Sequence, residues 1–325
     1  MQDLPDGFDM PLPTDSRAAW LDALEQVADE AGYFEPLGER HFAAFCDAGP
    51  NLLVTFETTG GIASLLEDAR PLGWHLLERN GWSHLLIACK EDTWFRADRV
   101  YRYIDRLIDD GFFEDFEEVV FYGAGPCGYA AAAYSVAAPG ARVLAIQPQA
   151  TLDPRIAVWD DRFTDMRRTD FTSRYGYAPD MLEAAAKAFV VYDQTEELDA
   201  MHAALFTRPN VTKLRMRLAG DALQTDLLAM GTLIPLIEAL MHDELDEATF
   251  ARLWRARRDY PPYLRNVLAA LDVDNRLELV RALCRNVLAR MKAPRFARRL
   301  ERLEKGGTPA PDMAEDRRTE DREVG

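Results

Sequence analysis

The sequence has few cysteines and no long apolar segment. It contains four cysteines: Cys46, Cys89, Cys127 and Cys284. They lie far apart and include no C-x-x-C pair, so we expect neither a disulfide framework nor a metal site of the usual ligand spacing. No apolar run approaches the roughly 20 residues of a membrane-spanning helix, and residues 1–13 lack the apolar stretch of a signal peptide. These absences predict a cytoplasmic protein that does not bind a membrane.

The chain also has few basic residues relative to acidic ones. It contains 38 Lys and Arg against 55 Asp and Glu, a formal net charge of −17. Nucleic acids and anionic membranes bind basic surfaces, so this balance argues against both as partners. The charge is uneven, since residues 276–305 carry ten basic residues against three acidic ones. A protein partner could bind these basic C-terminal helices, although a solvated helix face has the same composition.

Both ends of the chain are polar and poor in large apolar side chains. Residues 1–13 contain three prolines, and residues 306–325 begin with Gly306-Gly307-Thr308-Pro309. Segments that cannot bury enough apolar surface stay unfolded. We therefore predict a disordered N-terminus over residues 1–13 and a disordered tail over residues 306–325.

Between these ends, apolar strands alternate with amphipathic helices. Apolar residues at helical spacing predict a first helix ending near Ala31 and another over residues 100–110. Continuous apolar runs predict strands at residues 51–56, 82–89, 118–122, 142–147 and 188–192. Strands that are apolar on both sides are typical of a parallel sheet covered by helices. The sequence therefore predicts an α/β fold with a mostly parallel sheet and helices on both faces, its core covering residues 14–221.

The strand pattern stops after about Ala219. Residues 222–305 have the pattern of consecutive helices, with breaks near Asp243 and Pro261-Pro262. We interpret them as a helical C-terminal extension packed on the core rather than as an independent domain.

The most specific motif is a glycine-rich turn that follows the strand at residues 118–122. Gly123, Gly125 and Gly128 satisfy the pattern G-x-G-x-x-G, which lets a pyrophosphate approach a helix N-terminus. The motif therefore allows an FAD- or NAD-binding oxidoreductase. In such a protein the next strand should end in Asp or Glu, and here it ends in Gln147. We favour a protein without a cofactor and keep FAD or NAD as the alternative.

The same turn resembles the nucleophile elbow of the α/β-hydrolase superfamily, in the form found in esterases and acyltransferases. Those proteins carry G-x-S-x-G-G-Y-A-A between a strand and a helix. Here Gly123 and Gly128 match the outer glycines, and Tyr129-Ala130-Ala131 matches the start of the helix. The resemblance covers roughly residues 50–230. It implies a hydrolase or acyltransferase scaffold.

The resemblance also implies where the rest of the site lies. The superfamily places its acid and then its base after the nucleophile, and Asp193 stands where the acid is expected. The excursion over residues 151–187 stands where such folds carry a cap. The turn Thr58-Thr59-Gly60 follows the first predicted strand, where the second oxyanion donor is expected.

Aligned in this way, the elbow is degenerate. Gly125 occupies the nucleophile position and has no reactive side chain. Pro126 occupies the position of an oxyanion donor and has no N–H, and losing one such donor typically costs about 100- to 1,000-fold in rate. Asp221 stands where a histidine base is expected.

We therefore expect a ligand-binding or regulatory pseudo-hydrolase with little ester hydrolysis. Its ligand would be a small molecule of acyl type, held at the two turns under the cap. The predicted ligand-binding residues are Thr58, Thr59, Gly60, Gly123, Gly125, Pro126 and Gly128.

Cys127 offers a different nucleophile. It lies at a helix N-terminus, where the pKa of a thiol is lowered and its thiolate is a better nucleophile. Asp193 would remain the acid, and His202, on the helix after the acid strand, could serve as the base. This alternative predicts a Cys127-dependent acyl hydrolase or acyltransferase. The simpler interpretation is that Cys127 is a small packing residue.

Overall fold

The computed structural model of the chain describes residues 8–305. The chain divides into two compact units, Met1–Ala256 and Arg257–Gly325. The disorder predicted for residues 306–325 and for the first seven residues concerns parts of the chain outside the described range.

The first unit is built on one eight-stranded sheet. In chain order its strands are β1 Gly32–Pro36, β2 His41–Cys46, β3 Asn51–Thr58, β4 Ser83–Cys89, β5 Glu118–Ala124, β6 Arg142–Ile146, β7 Lys187–Tyr192 and β8 Val211–Arg215. Across the sheet their order is β1-β2-β4-β3-β5-β6-β7-β8. The pairs β1–β2 and β2–β4 are antiparallel, and all other neighbours are parallel.

The central strands are apolar on both sides because both faces of the sheet are covered. On β3 the successive residues Leu53 and Val54 point to opposite faces, and both are buried. The same holds for Val120 and Phe121 on β5. Such continuous burial is the property that separates a covered parallel sheet from a sheet with one solvated face. The predicted fold class, α/β with a mostly parallel sheet, is confirmed.

Helices of the first unit pack on both faces of this sheet. They are α1 Arg17–Ala31, α2 Thr59–Leu65, α3 Leu72–Asn80, α4 Asp98–Asp109, α5 Pro126–Tyr134, α6 Pro154–Ala157, α7 Ala178–Met181, α8 Glu197–Leu205, α9 Leu223–Ala229, α10 Leu233–Met241 and α11 Glu247–Leu253. Helices α4 and α5 share one apolar core with the sheet. Helices α1 and α3 belong to a second core on the opposite face, and α10 packs against β5 and β6.

Most of the predicted elements are present, and the differences follow from composition. The strands predicted at residues 51–56, 118–122 and 142–147 are β3, β5 and β6. Strands β1, β2 and β8 were not predicted. β2 has the sequence HFAAFC, with only two large apolar side chains, and β8 has the sequence VTKLR. An edge strand such as β8 keeps charged residues and therefore lacks an apolar run.

The disorder predicted for residues 1–13 is wrong for residues 8–13. Phe8 and Leu12 are buried. The ring of Phe8 lies 4.9 Å from that of Trp74, and the N–H of Leu12 donates to the carbonyl of Asp68 at 2.9 Å. Two apolar side chains thus anchor a segment whose overall composition is polar.

The helices after residue 222 are divided between the two units. Helix α10 lies in the first unit and buries Leu236, Ile237 and Leu240. The second unit contains α12 Pro261–Val273, α13 Leu277–Leu288 and α14 Pro294–Glu304. These three helices have an apolar core of their own, which includes Leu268 and Cys284. A helical C-terminal region is present, but the chain divides after Ala256 rather than near residue 222.

Within residues 8–305, no single helix is both long enough and apolar enough to cross a bilayer. Helices α9 and α10 meet those criteria only when they are counted together. A bend of 95° separates them.

Candidate functional site

The carboxyl ends of the parallel strands meet along one edge of the sheet, where open α/β sheets bind ligands. Thr55 of β3 is level with Tyr122 of β5. Three residues further along the chain, β3 ends at Thr58 and Gly125 directly follows the end of β5. The two glycine-containing turns selected from the sequence therefore lie side by side at this edge.

The turn between β5 and α5 is tight and holds Gly125 in an unusual conformation. Gly125 has φ 58° and ψ −125°, a region that side chains other than glycine rarely adopt. Its N–H donates to the carbonyl of Ile146 at 2.8 Å, and its carbonyl accepts from the N–H of Tyr129 at 3.0 Å. A Cβ placed on Gly125 would have no atom within 4 Å. The residue at this position thus faces open space above the strand end.

The flanking glycines have a different role. A Cβ on Gly123 would lie 2.2 Å from the carbonyl oxygen of Cys127, and a Cβ on Gly128 would lie 2.9 Å from that of Ile146. Both distances are shorter than real Cβ contacts. Gly123 and Gly128 are therefore required for the close approach of α5 to β5 and β6, whether or not a ligand binds.

Cys127 is buried at the start of α5. The neighbouring Cys89 thiol and burial hold the pKa of Cys127 well above the usual value of a thiol. Both effects favour the neutral thiol, whereas a nucleophilic cysteine needs the thiolate. The environment of Cys127 is that of a packing residue.

The turn after β3 continues directly into α2. The Thr58 hydroxyl accepts from the N–H of Gly61 at 2.9 Å and caps this helix. Arg17, at the start of α1, donates from one guanidinium nitrogen to the Thr59 hydroxyl at 2.8 Å and to the carbonyl of Lys90 at 3.2 Å. Arg17 forms no ion pair with any described residue. Sequence reasoning missed it because 41 residues separate it from Thr58.

Asp193, the predicted triad acid, is fully buried at the end of β7. Its carboxylate accepts hydrogen bonds from the N–H groups of Thr195 at 2.8 Å, Leu218 at 3.2 Å and Gly220 at 2.8 Å, and from the Thr195 hydroxyl at 2.7 Å. These bonds fasten the loop after β8 to the end of β7. Asp221, at the predicted position of the base, is exposed.

His202, on α8, is also fully buried and has no free ring nitrogen. Its Nδ1 accepts from the N–H of Ala150 at 3.2 Å, so Nε2 carries the proton that it donates to Asp160 at 2.9 Å. Burial lowers the pKa of His202, with the Asp160 carboxylate acting in the opposite direction. Neither ring nitrogen bonds to Cys127 or Asp193. The three predicted catalytic residues therefore form no hydrogen-bonded triad.

His202 belongs to a continuous polar network that joins α8 to the segment after β6. Arg162 donates to Asp160 at 2.9 Å and to Asp199 at 2.7 Å. Asp199 also accepts from the side-chain Nε2 of Gln147 at 2.8 Å, while the side-chain Oε1 of Gln147 accepts from the N–H of Leu223 at 3.2 Å. Gln147 has a positive φ of 48°. Gln147, which would stand in the ribose-binding position of a dinucleotide fold, thus uses its side chain for hydrogen bonds within this network.

Hydrogen bonds from Arg96 and Tyr129 attach the segment over residues 151–187 to the rest of the first unit. Arg96 is buried and donates to the carbonyls of Asp170 at 2.9 Å and Ser173 at 3.5 Å. Its guanidinium lies over the Tyr101 ring, 4.9 Å from the centroid. The Tyr129 hydroxyl of α5 donates to the carbonyl of Tyr175 at 2.9 Å. The segment is therefore fastened both to α5 and to the loop after β4.

No family model matches this chain, and no curated protein matches it. Solved structures do. An esterase from Pyrobaculum calidifontis is 13% identical, with 65% of this chain and 88% of that chain covered and a TM-score of 0.40. MPT51 (FbpC1) from Mycobacterium tuberculosis is 14% identical, with 64% and 93% covered and a TM-score of 0.40. Mouse alpha/beta hydrolase domain-containing protein 10 is 10% identical, with 65% and 98% covered and a TM-score of 0.41.

In fold, the chain is similar to α/β-hydrolases. At such low identities the similarity concerns the scaffold and says nothing about the reaction. Within residues 8–305 no group of three or more His, Cys, Asp or Glu side chains is arranged to hold a metal ion.

One further group of buried polar residues lies on the central strands of the sheet. The buried Glu57 carboxylate accepts from the Thr55 hydroxyl at 2.8 Å and from the N–H of Leu72 at 3.4 Å. Burial raises the pKa of Glu57 to about 7. Among the described residues, the Tyr122 hydroxyl is buried without a hydrogen-bond partner within 3.5 Å, although the Gln224 side chain is near enough to affect its pKa. The Nδ1 atom of His84, near the amino end of β4, is also buried without a partner there. Sequence reasoning missed these residues because they are single polar positions inside apolar strands.

Proposed function

We propose that this chain is a ligand-binding relative of α/β-hydrolases with little or no ester hydrolysis, and that its ligand binds above Gly125. The observation that carries the proposal is the conformation of Gly125. A strained residue at the tip of a strand-to-helix turn, facing open space, has the placement of the hydrolase nucleophile. Here that residue has no side chain to react.

The surroundings of Gly125 support the same proposal. Pro126 follows it and offers no N–H to a developing oxyanion. The Asp193 carboxylate accepts hydrogen bonds from the backbone of the loop after β8. Asp221, at the predicted position of the base, is exposed. In the proposed alignment Gly125, Pro126 and Asp221 occupy the positions of the nucleophile, the oxyanion donor and the base, which is why we favour binding over hydrolysis.

The groups near the turn favour a ligand with an anionic end. The N–H groups of Cys127 and Gly128 belong to the first turn of α5, where no intrahelical carbonyl reaches them. Arg17 adds a cation that carries no carboxylate partner and lies on Thr59, next to the β3 end. A carboxylate-bearing acyl compound fits this combination, with its chain lying along the turn under the 151–187 segment.

The absence of hydrolysis is tested by incubating the full chain with p-nitrophenyl acetate and butyrate and measuring intact mass. We expect no acyl adduct and no turnover above that of buffer. An adduct that disappears in Cys127→Ala would instead establish a working cysteine nucleophile and overturn the proposal. A flavin or nucleotide that copurifies would favour the oxidoreductase alternative.

The binding half of the proposal is tested by calorimetric titration with octanoate and with octanol, which lacks the charge. We expect octanoate to bind more tightly than octanol. Arg17→Gln should weaken octanoate binding about tenfold, because one charge-assisted hydrogen bond is worth roughly 1.5 kcal/mol. Arg102→Gln is the matched control, since Arg102 is exposed on α4. Equal binding by both variants would contradict the assignment of Arg17.

A further inference from the structure

Strand β8 forms the last edge of the sheet, and a groove runs along it away from the site above Gly125. The groove has a volume of about 750 Å³ and lies between β8, the segment at residues 206–208 and helix α11. Among the strands of residues 8–305, β8 pairs with β7 alone. This edge plays no part in the function proposed above, so the inference drawn from it is independent of that proposal.

The main chain of β8 presents hydrogen-bonding groups to the groove. The N–H of Ala188 donates to the carbonyl of Asn210, and the N–H of Met216 donates to the carbonyl of Tyr192. In a parallel ladder the bonds of one strand to its neighbour come from alternate residues. These two bonds therefore place the peptide groups of residues 210, 212, 214 and 216 toward β7.

The peptide groups of Lys213 and Arg215 consequently point outward. Neither has a backbone hydrogen bond to a described residue on that side. Unpaired N–H and C=O groups in alternation are the template on which an additional strand forms. The groove thus offers two donors and two acceptors at the spacing of a strand.

The side chains around this edge are basic and aromatic. Lys213 and Arg215 form no ion pair with any described residue. Burial lowers the pKa of Lys213, and the positive charge of Arg215 acts in the same direction. Among the residues that line the groove, only Glu247 is acidic. Phe250 of α11 and Trp254, the residue directly after that helix, form the apolar wall. The groove is therefore complementary to an extended segment that carries negative charge on one side and apolar groups on the other.

We propose that the outer edge of β8 binds an acidic, extended peptide segment of another protein as an additional strand. The main-chain groups of Lys213 and Arg215 supply the hydrogen bonds, and their side chains pair with carboxylates on the segment. A nucleic acid has no alternating N–H and C=O groups, and the sequence up to Ala256 carries a large excess of acidic residues that would repel it.

A second copy of this chain is a poor occupant. In an antiparallel pair of β8 strands, the central residue Lys213 would face Lys213 of the other copy. Like charges directly opposite each other destabilise a pair of strands, and a lysine in this place is a common protection against edge pairing.

The probe is a fluorescein-labelled ten-residue peptide, (Glu-Val)5, titrated with the full chain and followed by fluorescence anisotropy. Two peptides of matched length separate charge from strand pairing. One is (Lys-Val)5, and the other is (Glu-Val)5 with an N-methyl group on every residue, which keeps the charge and removes every donor. We expect both to bind at least tenfold more weakly than (Glu-Val)5. Equal binding by the N-methylated peptide would show charge attraction without an added strand and overturn the proposal.

The site is located by variants and by hydrogen exchange. Lys213→Glu and Arg215→Glu should each weaken (Glu-Val)5 about tenfold, whereas Arg102→Glu should leave it unchanged. In the unaltered chain, the peptide should slow exchange of the Lys213 and Arg215 amide protons at least tenfold. Unchanged exchange at both amides would overturn the proposal. So would dimerisation of the chain that Lys213→Glu abolishes, because the occupant would then be a second copy.

Discussion

The carboxyl edge of the sheet has two halves, and they differ in how completely their polar side chains are hydrogen-bonded. In the half formed by β6 and β7, each polar side chain is bonded within the protein. Asp193 accepts four hydrogen bonds from the backbone and side chain of its neighbours, His202 uses both ring nitrogens, and Gln147 bridges α8 and the start of α9.

The half formed by β3 and β5 is incompletely bonded. Among the described residues, the buried Tyr122 hydroxyl has no hydrogen-bond partner within 3.5 Å and the buried Glu57 carboxyl pairs with no cation, while Gly125 faces open space. Buried polar groups in folded proteins are nearly always satisfied, so unsatisfied ones need an explanation such as a bound water or a functional role.

This difference in hydrogen bonding distinguishes residues that hold the structure together from residues that could bind a ligand. A closed hydrogen-bond network holds its elements in one arrangement and has nothing left to offer a ligand. Groups without partners can gain hydrogen bonds when a ligand arrives. We therefore assign Asp193 and His202, two of the residues selected from the sequence as catalytic, to the support of the site, and we place ligand binding in the β3–β5 half.

The largest effect is expected at Asp193. Asp193→Ala removes a fully buried carboxylate and the hydrogen bonds that it accepts from Thr195, Leu218 and Gly220, which should lower the free energy of unfolding by about 4 kcal/mol. Urea denaturation measures the change. Asp221→Ala is the control at the exposed position of the predicted base, and it should change stability by less than about 0.5 kcal/mol. Similar losses in both variants would contradict the support role of Asp193.

The two glycines of the turn should also differ. Gly123→Ala drives a Cβ to 2.2 Å from the carbonyl oxygen of Cys127, so it should cost about 3 kcal/mol by overpacking. Gly125→Ala meets no atom within 4 Å, and only its positive φ costs about 1 kcal/mol. Thermal unfolding of both variants checks the order. If Gly125→Ala is the more damaging change, the space above Gly125 is not open.

Glu57 should make stability depend on pH in a definite direction. Its pKa is about 7 in the folded chain against the ordinary value of 4.5 for a glutamate side chain, so the folded state binds the proton more tightly. The cost of burying the carboxylate is absent below pH 4.5, grows as pH rises and is complete above about pH 7. Glu57→Gln should therefore stabilise the chain by about 2 kcal/mol at pH 8 and by little at pH 4.5.

The comparison needs a control because other buried groups titrate in the opposite sense. Burial lowers the pKa of His84 to about 3 and that of His41 to about 4, so both destabilise the fold as pH falls below 6.5. Glu114→Gln, at an exposed position, should give the same stability curve as the unaltered chain. A stability gain from Glu57→Gln that does not vary with pH would refute the assignment.

The smallest effect is expected at two buried tyrosines. Tyr122→Phe removes a hydroxyl that has no hydrogen-bond partner within 3.5 Å among the described residues, so stability should stay the same or rise by about 0.5 kcal/mol. Tyr134→Phe removes a hydroxyl that donates to the carbonyl of Phe95 at 2.6 Å, and it should cost about 1 kcal/mol. Chemical denaturation of the pair resolves the difference. A loss at Tyr122 as large as that at Tyr134 would show that the Tyr122 hydroxyl is already bonded.

Sequence reasoning predicted the elements whose signal is local. The apolar runs of β3, β5 and β6 and the glycines of the turn could be read directly, because burial on both faces and close packing each require particular residues at successive positions. Strand β8 could not be predicted in the same way. Its residues VTKLR are half-exposed, and it becomes a strand through pairing with β7.

The candidate site, too, could be predicted only where its residues lie close together in the sequence. Gly125 and Thr58 were selected from motifs that lie within a few residues. Arg17, Glu57 and Tyr122 come from three separate elements, and no spacing in the sequence connects them. Asp193 was selected for the right position at the end of a strand. The hydrogen bonds that define its role come from Leu218 and Gly220, 25 and 27 residues further on.

The sequence by itself determined the α/β class, the run of parallel strands and the presence of glycine at position 125, because hydrophobic pattern and residue identity are properties of the chain. Only the tertiary structure decided which polar groups are satisfied, where the edge of the sheet is open and which charges lack a partner. Those properties depend on distances between residues far apart in sequence, and such distances exist only after the chain has folded.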